Sequence, residues 1–155
     1  MKKLLFGLFL SAAFIFTAGS FDQLNAQTIS GSIGTVKRGG STRGTIMMSI
    51  PGGLHVNSSR PNSEYAIPTV VKVSAVGSKI GGVSYPRGRN RKFGFSEDTL
   101  NVYEGRTAFS FNLIVPANFK GNVVRVRAVV RYQACTDEVC YAPKSKTITF
   151  TARVQ

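Results

Sequence analysis

From Phe109 to Val154 the chain alternates apolar and polar residues with a period of two, and few folds accommodate such a pattern. Phe109, Phe111, Leu113 and Val115 alternate with Ser110, Asn112 and Ile114. Val124, Val126, Ala128, Val130 and Tyr132 alternate with Arg125, Arg127, Val129, Arg131 and Gln133. Ile148, Phe150, Ala152 and Val154 alternate with Thr147, Thr149, Thr151 and Arg153. Successive strand side chains point to opposite faces, so each run reads as a strand with one face buried. No segment shows the 3.6-residue period of an amphipathic helix.

Shorter runs precede these. Residues 45–50 place Ile46, Met48 and Ile50 on one face, and Pro51, Gly52 and Gly53 form a turn. Residues 54–58 read as a short strand carrying the only histidine, His55, and residues 59–68 as a polar loop. Residues 69–76 and 80–85 are extended. Residues 86–92, PRGRNRK, read as a solvated basic loop tip, with Phe93 and Phe95 just after it. About eight or nine short strands separated by turn signals imply an all-β, immunoglobulin-like β-sandwich. The Cys-Trp-Cys pattern of true immunoglobulin domains is absent, since the chain has no tryptophan.

The sandwich is expected to occupy residues 27–155, behind a signal peptide at residues 1–26. Lys2 and Lys3 open the leader, and residues 4–16 form an apolar run of signal-peptide length. Cleavage is expected after Ala26, or earlier near Ala18 or Ser20. Export places the chain in an oxidising compartment, where a disulfide is permitted. The formal net charge is +13. Outside the cytoplasm such a charge favours acidic proteins or anionic headgroups over nucleic acid, and most of it reads as a solvated surface.

Cys135 closes one strong strand and Cys140 precedes the next, so both belong to the connection of a hairpin. A bridge across so short a loop stabilises a fold by only about 2 kcal/mol. The placement is inefficient as a staple and suits chemistry, although hairpin staples exist, and the residues alone leave both readings open. Asp137 and Glu138 between the cysteines disfavour a thiolate. Tyr132 and Tyr141 flank the loop, placed either to shield the sulfurs or to pack. Pro143 stiffens the exit.

The stretch from Tyr132 to Pro143, YQACTDEVCYAP, resembles the cysteine loop of the N-terminal periplasmic domain of DsbD, a membrane thiol:disulfide interchange reductase. The run from Pro51 to Ser58, PGGLHVNS, then Tyr85 and Pro86, and later Val102 to Gly105 are similar to other segments of that family in the same order. The resemblance covers roughly residues 40–154. It implies an immunoglobulin-like sandwich in which Cys135 and Cys140 are the redox pair, with Cys140 forming the mixed disulfide and Cys135 resolving it. It also implies a thioredoxin-like electron donor domain, and disulfide-containing periplasmic proteins as recipients. Phe93 or Phe95 would supply the aromatic of the family's cap loop. Two departures stand out: the cysteine spacing is one residue shorter than in the best-known members, and Ala142 replaces a common proline. The transmembrane and thioredoxin-like domains have no counterpart here, so a free-standing domain with a separate membrane partner is expected.

His55 alone does not complete a zinc site with two cysteines, and it reads as a packing residue at a strand end. No metal and no cofactor are expected. The leading reading is a protein-disulfide oxidoreductase acting as a redox relay. The alternative is a non-catalytic secreted binding module with a structural hairpin disulfide.

Overall fold

Strands account for most of residues 27–155, which are the residues described by the computed structural model. In chain order they are β1 (Thr28–Ile33), β2 (Ser41–Ser49), β3 (His55–Asn57), β4 (Val70–Ala75), β5 (Lys79–Ile80), β6 (Arg89–Lys92), β7 (Thr99–Tyr103), β8 (Arg106–Ile114), β9 (Val123–Tyr132), β10 (Ala134–Cys135) and β11 (Lys144–Arg153). The expected leader, residues 1–26, lies outside the described residues.

The strands form three sheets, ordered β1-β2-β8-β5, β10-β3-β7-β6 and β11-β9-β4. The first and third face each other across the main core. Ile46 and Met48 of β2, Phe109, Phe111 and Leu113 of β8, and Val124 to Tyr132 at alternate positions of β9 are all buried there. These are the inward positions that the alternation marks. Burying one such Val, Leu or Phe side chain contributes about 1.5–3 kcal/mol. The result is the all-β, immunoglobulin-like sandwich expected from the pattern.

Two glycines admit the aromatic rings that join the sheets. Gly44 stands opposite Phe111 in the β2–β8 register. A Cβ on Gly44 would sit 2.2 Å from the Phe111 ring, and one on Gly31 of β1 would sit 2.3 Å from the Phe150 ring of β11. Those two rings meet edge to face, with centroids 6.2 Å apart. Gly44→Ala is therefore expected to destabilise the fold by about 1–3 kcal/mol through overpacking, read as a lower denaturation midpoint with an unchanged slope.

The outward face of the third sheet carries Lys72, Arg125, Arg127, Arg131 and Arg153, interleaved with Ser and Thr. All five cations are exposed, and no carboxylate stands among the outward residues of these strands.

The sequence reading needs three corrections. β1 lies in a segment where no strand was expected. Of the basic run 86–92, residues 89–92 form β6 rather than a loop tip, paired with β7 from Arg89↔Val102 to Lys92↔Thr99. All four β6 side chains are exposed, so no alternation marks the strand. Within residues 80–85 the extended pairing is confined to the end of β5 and one bridge from Ser84 to Ser110.

Candidate redox site

β9 and β11 pair along their whole length, up to Tyr132↔Lys144. Their connection is the cysteine segment, as the hairpin reading expects. It is more than a loop, because Ala134 and Cys135 form β10 and pair with Val56 and His55 of β3. The chain thus crosses from the third sheet into the second just before the first cysteine.

Polar side chains hold this crossing. Asn57 Nδ2 donates to Gln133 Oε1 (3.3 Å) and to the Ile67 carbonyl (3.1 Å). Gln133 Nε2 donates to the Tyr141 carbonyl (3.2 Å). The turn closes when the Thr136 N–H donates to the Val139 carbonyl, 2.8 Å away. Thr136 Oγ1 accepts from the N–H groups of Glu138 (3.2 Å) and Val139 (3.1 Å). A threonine hydroxyl bonding the backbone two and three residues on is a common turn device. The Tyr141 N–H, donating to the Ala134 carbonyl at 2.8 Å, brings the chain back beside β10.

Cys135 and Cys140 form a disulfide with Cα atoms 4.0 Å apart. The two sulfurs are not equivalent. Cys135 is 0% exposed, whereas Cys140 is an exposed residue. Residues directly opposed in an antiparallel ladder share a face. Cys140, Cys135 and His55 therefore stand in one row across the sheet.

His55 is 2% exposed. Its ring stacks on Phe93 at 4.0 Å and 12°. Phe93 in turn stacks on Phe95 at 5.4 Å and 10°. Phe93 is buried, while Phe95 is 39% exposed, so the stack runs from the interior out to the surface. Burial lowers the His55 pKa from the ordinary 6.5; the carboxylates of Asp137 and Glu104 pull it upward, and Arg91 adds a small downward push. Arg91 Nε and Glu104 Oε1 form an ion pair at 3.5 Å. The buried His55 Nε2 has no hydrogen-bond partner among the described residues.

The remaining expected residues divide between the main core, which takes Tyr132, and the turn around Cys140. Tyr132 is fully buried, and burial raises the pKa of its phenol. Tyr141 is half-exposed next to Cys140, and Asp137 and Glu138 are exposed on the turn. An open cleft of about 570 Å³ borders Cys140, with Asn57, Tyr65, Phe95, Leu100 and Gln133 in its walls. Tyr65, Phe95, Val139 and Tyr141 leave apolar surface exposed here. Sequence reasoning missed Asn57 and Gln133 as the residues tying the loop down, and missed His55 as the neighbour of Cys135. The polar side chains of His55 and Asn57 within a buried strand were the available signal, since buried polar groups seek partners, and Gln133 offered none.

The arrangement suits disulfide exchange: one sulfur open to attack, the other retained in the fold. Comparison with known proteins points the same way. The family described as "Thiol:disulfide interchange protein DsbD, N-terminal" matches residues 31–152. No curated protein matches the chain significantly. Among solved structures, the reduced N-terminal domain of DsbD from Neisseria meningitidis is similar at 17% identity and a TM-score of 0.50, over 81% of this chain and 85% of that one. The N-terminal periplasmic domain of ScsB from Proteus mirabilis is similar at 10% identity and a TM-score of 0.58, over 80% of this chain and 45% of that one. These two likenesses show the fold. The family match spans most of the chain and includes both cysteines, and the chain belongs to the DsbD N-terminal domain family of thiol:disulfide interchange proteins.

Proposed function

We propose that the Cys135–Cys140 pair relays electrons in the periplasm, from a thioredoxin-like donor domain to oxidised client proteins. A single observation carries this reading: the exposed Cys140 borders an apolar-rimmed cleft while Cys135 is buried behind it. Exposed apolar surface of this kind marks a protein docking site.

The chemistry takes two exchanges, each moving two electrons. A donor thiolate attacks Cys140 Sγ, the bond to Cys135 breaks, and Cys135 Sγ leaves as the thiolate. The donor's second thiol, as thiolate, attacks the donor sulfur of the mixed disulfide and releases reduced Cys140. In the second exchange the Cys140 thiolate attacks a client disulfide. Cys135 then attacks Cys140 Sγ, restoring the intramolecular bond and releasing the reduced client. Phe93 and Phe95, stacked on His55, shield the Cys135 side of the pair, and Tyr141 flanks the exposed Cys140. Asp137 and Glu138 keep the free thiols protonated, which restrains reaction with small oxidants. The two sulfurs carry the electrons without a cofactor. Residues 1–26 export the chain, and a membrane partner supplies the donor.

The reduction potential tests the reading. Equilibrated with glutathione and thioredoxin-type buffers, the pair is expected to fall in the range of thiol carriers. A potential below about −300 mV would mark a structural bridge and leave a disulfide-stapled binding module.

A further inference from the structure

Cys135 poses a chemical problem that its burial creates. The relay needs Cys135 as a thiolate twice, once as leaving group and once as attacker. Burial disfavours the charged form of a thiol, and the nearby carboxylates of the turn add to that. Water is kept from this sulfur, so its proton needs a receiver inside the fold.

His55 is the residue opposite Cys135 in the β3–β10 ladder. Side chains so opposed have Cβ atoms about 4.5–5.5 Å apart. The imidazole is buried with Cys135, and its Nε2 is unpartnered among the described residues. Phe93 and Phe95 lie parallel to the ring and fix its plane. A histidine that served packing alone would leave the fold with an uncompensated polar atom, which is destabilising.

We propose that His55 is the proton acceptor and donor for Cys135. When Cys135 closes the disulfide, its thiol proton passes to the neutral imidazole as Sγ attacks Cys140 Sγ and the client sulfur leaves. The imidazolium then gives that proton up to solvent, and when a donor thiolate opens the disulfide the ring takes a proton from solvent and hands it to the departing Cys135 Sγ. The proposal rests on the relay reading, and the proton balances over one cycle. The charged groups that act on the ring are Asp137 of the turn, Glu104 at the end of β7 and Arg91 of β6. Burial outweighs the two carboxylates, so the ring is neutral at neutral pH and free to accept.

The test uses the reduced domain and the small disulfide dithiobis-nitrobenzoate. Attack by Cys140 releases one thionitrobenzoate, and resolution by Cys135 releases a second, so the two steps read as separate phases. His55→Phe retains an aromatic ring to stack on Phe93, and His55→Gln retains a polar amide should the Phe variant fold poorly. In either variant the second phase is expected to slow by about 10²-fold at neutral pH with the first phase unchanged. The wild-type second phase should be level above pH 6.5 and fall below it as His55 protonates. In the variants it should instead climb about tenfold per pH unit across the same range, following ionisation of the Cys135 thiol itself. A second phase of unchanged rate and pH profile in a folded variant overturns the proposal. So does an equal slowing of both phases. Failure of the relay reading looks different: the wild type would show both phases with the reagent, yet exchange with no thioredoxin-like protein.

Discussion

A Cys135→Ala protein, reduced and mixed with a thioredoxin-like partner whose single remaining active-site cysteine carries a thionitrobenzoate disulfide, is expected to accumulate as a covalent adduct through Cys140. The matching Cys140→Ser protein is expected to form almost none. The difference follows from burial. Cys140 lies in the open at the edge of the cleft, whereas Cys135 is fully buried where β10 pairs with β3. Attack at Cys135 Sγ requires the segment to open first. A local opening of about 3 kcal/mol lowers the rate by roughly 10²-fold. With Cys135 and the partner's second thiol both absent, the adduct on Cys140 has no internal route back. Non-reducing electrophoresis and mass spectrometry of the adduct read the result. Equal trapping by the two variants would mean that the burial asymmetry does not govern the chemistry.

Phe109→Ala should have the largest effect on the fold, a loss of about 3–5 kcal/mol in urea or guanidinium unfolding. The ring is 0% exposed at the centre of β8. It meets Tyr85 edge to face at 5.6 Å and Tyr103 at 5.7 Å. Both tyrosines use their hydroxyls to fasten other segments. The Val71 N–H donates to Tyr85 Oη at 2.9 Å, and Tyr103 Oη donates to the Pro86 carbonyl at 3.2 Å. Deleting the Phe109 ring leaves a cavity beneath both anchors, which explains a loss towards the top of the range. The cysteine segment hangs from β3 and β9 rather than from β8. Disulfide exchange by the folded fraction should therefore stay near the wild-type rate, and a matching fall in exchange would disprove this separation.

Much of this architecture was legible because the core strands bury one face. β8, β9 and β11 alternate cleanly, and their inward residues match the alternation position by position. β1 reads TISGSI, and its inward Gly31 gives no hydrophobic signal because its place in the core is filled by the Phe150 ring. β6 is an edge strand with four exposed side chains, so its strand character resides in the backbone pairing with β7. The cysteine pair was legible from its hairpin position and its family resemblance. That Cys135 pairs with His55 was not, since the ladder joins segments distant in sequence and local patterning carries no register between them. The stack of His55 on Phe93 was hidden for the same reason.

The crossing at Gln133 also bears on how such a chain survives repeated use in the cell. Cys135 is held in place by the β3–β10 ladder and by the side chains of Asn57 and Gln133, so its position does not depend on the sulfur bond. The disulfide itself closes a ring of only six residues and adds about 2 kcal/mol. Each oxidation and reduction then leaves the folded population nearly constant. A protein whose disulfide held distant parts together would present itself to proteases and chaperones at every turnover. Here the bond is free to open and close without a visit to the quality-control machinery.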